Sequence, residues 1–204
     1  MNVISNLTIL NTIISLIIGF CIIALFTSIG INIYLSKINQ HKTKKEKKSI
    51  VETGTMTLFF LLIYTLLKTQ TGTIKLNQNI HYILIFLGLI IIMFGTYVNI
   101  KGRFNLGRNW ANQVKIYNDH TLINQGMYKY LRHPLYASII WMFYGASFIY
   151  TNLYVFIANT IIFIPFMYYR AKQEEFFLTQ NFKNYKTYQK KVGMFFPKVP
   201  KLFK

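Results

Sequence analysis

Carboxylates are scarce in this sequence: Asp and Glu together number five, against 23 Lys and Arg, in 204 residues. Three of the five, Asp119, Glu174 and Glu175, flank the densest run of motif-like residues, Arg132-His133-Pro134-Leu135-Tyr136. Cysteine is rarer still. Cys21 stands alone, which excludes a disulfide frame, a cysteine metal quartet and a resolving-thiol pair. The four histidines, His41, His81, His120 and His133, lack zinc-ligand spacing, so no metal centre is expected. Internal repeats and a phosphate-cradling glycine loop are absent as well; Gly102, Gly107 and Gly126 are scattered in the manner of turn residues.

Charge is also missing from long stretches, and this sets the class. A bilayer core of about 30 Å needs roughly 20 helical residues to cross it. No Asp, Glu, Lys, Arg or His occurs from Met1 to Ser36 or from Thr53 to Leu67, and only His81 interrupts Leu76 to Ile100. From Pro134 to Tyr169 the only ionisable side chains are tyrosines, a length that suits two short crossings with Tyr150-Thr151-Asn152 as the turn. The expectation is an all-α integral membrane protein with five spans, about 9–36, 50–68, 79–100, 134–150 and 152–170. The first lacks the basic n-region and cleavage site of a signal peptide. A soluble bundle is excluded because its helices would need polar faces. Two parts follow: 1–100 with three spans and a basic loop at 37–50, and 101–204 with a connector, the hairpin 134–170 and a tail.

All the Lys and Arg except Lys68 and Lys75 fall in three segments, 37–50, 101–133 and 170–204. The positive-inside rule makes that side cytoplasmic, with the N-terminus outside and the C-terminus inside. The net charge of +18 is what basic loops beside spans produce, and such loops attract anionic lipids. No nucleic-acid motif accompanies it, so no nucleic-acid partner is expected.

Two separated motifs remain. The first runs from Leu106-Gly107-Arg108-Asn109-Trp110 through Asp119-His120-Thr121-Leu122 and Gly126-Met127-Tyr128 to Arg132-His133-Pro134-Leu135-Tyr136. The second begins Arg170-Ala171-Lys172-Gln173-Glu174-Glu175 and continues with Leu178, Phe182, Tyr185, Tyr188, Val192 and Pro197. Together, in this order and bracketing a helical hairpin, they closely resemble the isoprenylcysteine carboxyl methyltransferase family. These are integral membrane enzymes that use S-adenosylmethionine and are related to the phospholipid methyltransferases. The likeness runs from Leu106 to the C-terminus. Two positions depart from the family pattern, Met127 where proline is common and Ser138 where glycine is, and neither carries chemistry.

The resemblance implies that Asp119, His120, Leu122, Gly126, Tyr128, Arg132, His133, Pro134 and Tyr136 shape a cytoplasmic cofactor region. It implies that Glu174 binds the cofactor, that Glu175 serves the reacting centre, and that Arg170 is the active-site arginine. It further implies a lipophilic or lipidated acceptor entering from the bilayer, most simply an isoprenylcysteine carboxylate, with a phospholipid amine or a lipophilic hydroxyl as the alternative.

The residue types suit that chemistry on their own terms. Carboxylates match a ribose diol and an amine, arginine matches a carboxylate, and aromatics match adenine. Displacement at a methyl sulfonium asks mainly for alignment and dryness. Plainer readings exist beside it. Arg170 and Glu174, four apart, fit a surface pair; His133 fits the entry to a helix with Pro134 in its first turn; Tyr128, Tyr130, Tyr136, Tyr168 and Tyr169 fit an interfacial aromatic belt. Pro165 is expected to kink the fifth span. From other classes, a nicotinamide-dependent membrane reductase and a small transporter are the rivals; a transporter is expected to carry ionisable groups at mid-membrane.

Overall fold

The structure, a computed structural model, describes residues 2–38, 43–47, 50–107, 114–117 and 121–198. Seven α-helices form its body: α1 (Asn2–Ile38), α2 (Ile50–Lys68), α3 (Gln78–Leu106), α4 (Pro134–Ile149), α5 (Leu153–Ala158), α6 (Ile164–Asn181) and α7 (Tyr185–Lys191). Two short strands, β1 (Thr43–Lys47) and β2 (Val114–Tyr117), pair antiparallel between the connecting segments. Asp119 and His120 lie outside the described residues.

Among the described residues, three helices are long and apolar enough to cross a membrane: Thr8–Leu35, Gln78–Leu106 and the continuous rod Leu153–Asn181 formed by α5 and α6, with mean hydropathies of 2.6, 2.4 and 1.3. Two further apolar helices, Gly54–Lys68 and Pro134–Ile149, are shorter. At 1.5 Å per residue α4 is about 24 Å long, less than the hydrocarbon thickness. The outer faces are oily. Leu16, Phe20, Phe26 and Phe86 are each more than 60% exposed, a surface that belongs against lipid, and the chain is an integral membrane protein.

The centre of the fold is the antiparallel pair α3 and α4. Along α3 the buried residues Ile85, Gly88, Ile92, Gly95, Asn99 and Gly102 recur at alternating intervals of three and four, which lines them up on one stripe. Small residues there let the two backbones approach closely. A Cβ on Gly88 would stand 2.6 Å from the Gly145 carbonyl oxygen, and one on Gly95 would stand 2.7 Å from Met142. Nearer the site Asn99, 1% exposed, donates to Ser138 Oγ at 2.8 Å and accepts from Arg103 Nε at 2.9 Å. Buried amides without such partners would be costly in this setting. Ile14 and Cys21 of α1 join the edge of this interface, packing in one cluster with Ile85 and Ile92 of α3 and Ile149 of α4.

The turn expected at Tyr150-Thr151-Asn152 joins α4 to α5. Asn152 caps α5 by accepting from Val155 N at 3.0 Å, and its amide reaches back to Thr71 O at 3.0 Å. That contact ties the hairpin tip to the segment after α2. Pro165, where the last span is expected to kink, follows a π-helical turn over Asn159–Phe163. Proline offers no N–H and crowds the preceding turn, and a widened turn accommodates both. Phe163 in that turn stacks on Phe59 of α2 at 4.6 Å and meets Phe143 of α4 edge-on at 5.0 Å, joining three helices in one apolar core.

Candidate active site

The site forms where α3 ends, α4 begins and α6 runs past both. Gly126 opens a 3-10 turn, Gly126–Lys129, with a φ of +59°. A Cβ there would lie 2.3 Å from Asn105 Oδ1, and that oxygen accepts the Met127 N–H at 2.9 Å. Glycine is therefore demanded twice, by the left-handed backbone and by the approach of Asn105. Tyr128, next in the turn, is buried, and burial pushes its phenol well above the usual value. Its carbonyl accepts from Tyr188 Oη at 2.6 Å. Leu122 lines an open cleft of about 240 Å³ with Asn105, Ile123, Asn124 and Gln125.

The Arg132-His133-Pro134 run is strapped to the C-terminal tail. Arg132 N donates to Gly193 O at 2.8 Å and His133 N to Met194 O at 3.2 Å. The Arg132 guanidinium donates from Nη1 to the carbonyls of Gln189, at 3.0 Å, and Val192, and from Nε to Glu175 Oε1 at 2.7 Å. Pro134, fully buried, sits in the first turn of α4, where its missing N–H costs nothing. It rests against Gly102 of α3.

His133 is held between two carboxylates. Its Nε2 lies 3.2 Å from Glu175 Oε1 and its Nδ1 3.3 Å from Glu174 Oε2, while the ring stacks on Tyr136 at 5.7 Å. A neutral imidazole has one acceptor nitrogen, which would point its lone pair at a carboxylate; only the imidazolium satisfies both sides. Burial opposes that charge, and the hydrogen bonds the ring donates to the two glutamates, with their negative charge, outweigh it, so the pKa of His133 rises above its ordinary 6.5.

The two glutamates are not equivalent. Glu175, with a side chain only 3% exposed, also accepts from Gln189 Nε2 at 2.6 Å, so both its oxygens are engaged within the fold. Glu174 keeps 29% of its side chain exposed and accepts from Tyr136 Oη as well as facing His133. Arg170, one turn earlier on α6, is 8% exposed. Its guanidinium lies 5.7 Å from the Tyr136 ring, Nη1 touches Met56 Sδ at 2.9 Å, and Nε has no hydrogen-bond partner among the described residues. Among the described residues no carboxylate pairs with it. The plain Arg170–Glu174 surface pair does not form, because Glu174 turns to His133 and Tyr136.

The sequence motifs therefore converge: Tyr128, Arg132, His133, Pro134, Tyr136, Arg170, Glu174 and Glu175 share one polar zone, with Gly126 and Leu122 at its edge. Met56 and Gln189 join them without any sequence signal, the first an ordinary residue of an apolar run, the second one of several polar residues in the tail. Among the described residues Arg132, Arg170 and the imidazolium of His133 face two carboxylates, and Arg170 is the one that pairs with neither.

Comparison with known proteins matches residues 87–180 to the isoprenylcysteine carboxyl methyltransferase (ICMT) family, the stretch from α3 through most of α6. A probable protein-S-isoprenylcysteine O-methyltransferase of Oryza sativa subsp. indica is 29% identical over 110 residues, covering 52% of this chain and 58% of the relative. Protein-S-isoprenylcysteine O-methyltransferases of Xenopus laevis and Dictyostelium discoideum are 30% and 32% identical, over 52% of this chain and 38% and 46% of theirs. The chain spans about half the length of the curated relatives it matches.

Proposed function

We propose, starting from the resemblance of residues 87–180 to the isoprenylcysteine carboxyl methyltransferase family, that this chain is a membrane methyltransferase esterifying a lipophilic carboxylate of isoprenylcysteine type. The observation that carries the acceptor class is Arg170, a buried guanidinium with no carboxylate against it among the described residues. An uncompensated buried charge is costly, and an incoming anion removes the cost. The planar fork suits a carboxylate held by two parallel hydrogen bonds.

S-adenosylmethionine, the methyl donor we propose, supplies an electrophilic methyl on a sulfonium. The acceptor oxygen forms the new C–O bond as the C–S bond breaks, and the electron pair stays on sulfur. No proton has to move, since a carboxylate with a pKa near 4 is already an anion at neutral pH. That matches His133, which has no free nitrogen for use as a base. Glu174, partly open and anchored by Tyr136, is placed to meet the donor's amine or hydroxyls. The cleft at Leu122 offers room beside the Gly126 turn, and Arg132, His133 and Glu175 hold the frame.

The active site then faces the cytoplasm, five helices cross the bilayer, and the basic loops lie on anionic headgroups. The test is a thermal-shift titration of the solubilised protein with S-adenosylhomocysteine and with NADPH. Stabilisation by S-adenosylhomocysteine alone is expected; stabilisation by NADPH alone would make the chain a reductase.

A further inference from the structure

We infer that Met56 of α2 is a specificity-determining residue of the acceptor site, its thioether standing on the ground in front of Arg170 that the acceptor's anionic oxygen takes. The inference rests on the proposed function for the identity of the anion. The contact itself rests on geometry. Met56 Sδ is 2.9 Å from Arg170 Nη1, and Arg170 Nε, buried beside it, has no hydrogen-bond partner among the described residues. A thioether is a weak acceptor and does not satisfy a guanidinium.

The placement of Met56 is not accidental to the packing. Phe59 and Ile63, three and seven residues further along α2, are buried in the same core, and Phe59 stacks on Phe163 and meets Phe143. These anchors fix the helix and aim its preceding turn at Arg170. Met56 itself is only partly buried, and its unbranched side chain can rotate aside without moving the helix. A flexible apolar group in front of a buried cation excludes water until a ligand arrives. It also makes α2, which lies outside the segment of family resemblance, the element that sets which acceptor fits.

The experiment compares Met56→Glu with Met56→Gln in the full chain. Three readouts are needed: the KM for a small S-prenylated N-acylcysteine, the affinity for S-adenosylhomocysteine, and the melting temperature. The glutamate variant places an internal carboxylate against Arg170, so its acceptor KM is expected to rise about tenfold more than that of the glutamine variant. Affinity for S-adenosylhomocysteine should stay within about twofold in both, and Met56→Glu should melt above Met56→Gln because it neutralises a buried cation. Equal KM values in the two variants, or loss of S-adenosylhomocysteine affinity alongside acceptor affinity, would overturn the inference. If the unaltered chain methylates nothing, the functional reading falls by itself. The melting temperatures then decide the contact: a higher value for Met56→Glu keeps Met56 in front of Arg170, and equal values remove it.

Discussion

At the scale of single residues, the arrangement separates groups that build the site from groups left open in it. Glu175 is wholly engaged by Arg132, His133 and Gln189, so Glu175→Gln is expected to strand buried cations and cost about 3 kcal/mol of stability. Glu174→Gln, at a partly open position, should leave the melting temperature nearer the parent and weaken donor affinity instead. Arg170→Lys keeps a charge but loses the fork, and kcat/KM should fall roughly a hundredfold with the fold intact. His133 gives a pH signature. Its folded pKa is raised above 6.5, so its contribution to stability is full below about pH 6.5 and is lost as pH climbs through the folded value. Melting temperature should therefore drop as pH rises above about 6.5, and His133→Gln should lower the value on the acid side of that point while flattening the slope. The Arg-His-Pro run and the paired glutamates were legible because charged and aromatic residues are conspicuous in so apolar a chain. The division of labour between Glu174 and Glu175 was not, since adjacent residues on a helix point about 100° apart and only the packed neighbours decide which is enclosed. Met56 was invisible for a similar reason: nothing in an apolar run tells which methionine meets a guanidinium.

At the scale of elements, close helix contact and one tight turn hold the site. Gly126→Ala should cost about 1–3 kcal/mol, because alanine resists the positive φ and meets Asn105. Gly88→Leu, far from the motif residues, should force α3 from α4, since even a Cβ would strike the Gly145 carbonyl. Reduced thermal stability together with weakened S-adenosylhomocysteine binding would show that the helix pair positions the site; unchanged binding would separate the two. Helix positions were readable from uncharged runs, and the turn at Asn152 from its polar break. The length of the last helix was legible only in part: the i, i+4 spacing of Arg170 and Glu174 presumes helix beyond the apolar run that ends at Tyr169, but not that α6 continues to Asn181, with Ala171 and Glu175 buried on one face. The π turn ahead of Pro165 had no signal in the sequence, where only the proline itself marks the place.

At the scale of the whole molecule, an apolar body carries one polar zone at the end where its basic segments gather. If that end is cytoplasmic, tags at the N-terminus and at Thr151-Asn152 should be reachable from outside sealed cells and a tag after Lys204 should not. Termini reachable from the same side would contradict five crossings. The site chemistry has a more direct test. The protein, reconstituted in lipid, is given S-adenosylmethionine labelled in its methyl group together with a small S-prenylated N-acylcysteine, and the lipophilic product is treated with mild base. A carboxyl methyl ester releases its label as methanol, and the account predicts that release from the parent protein and its near-complete loss in Arg170→Lys. A label that stays on the lipid through base treatment, as an amine or ether methyl would, contradicts it.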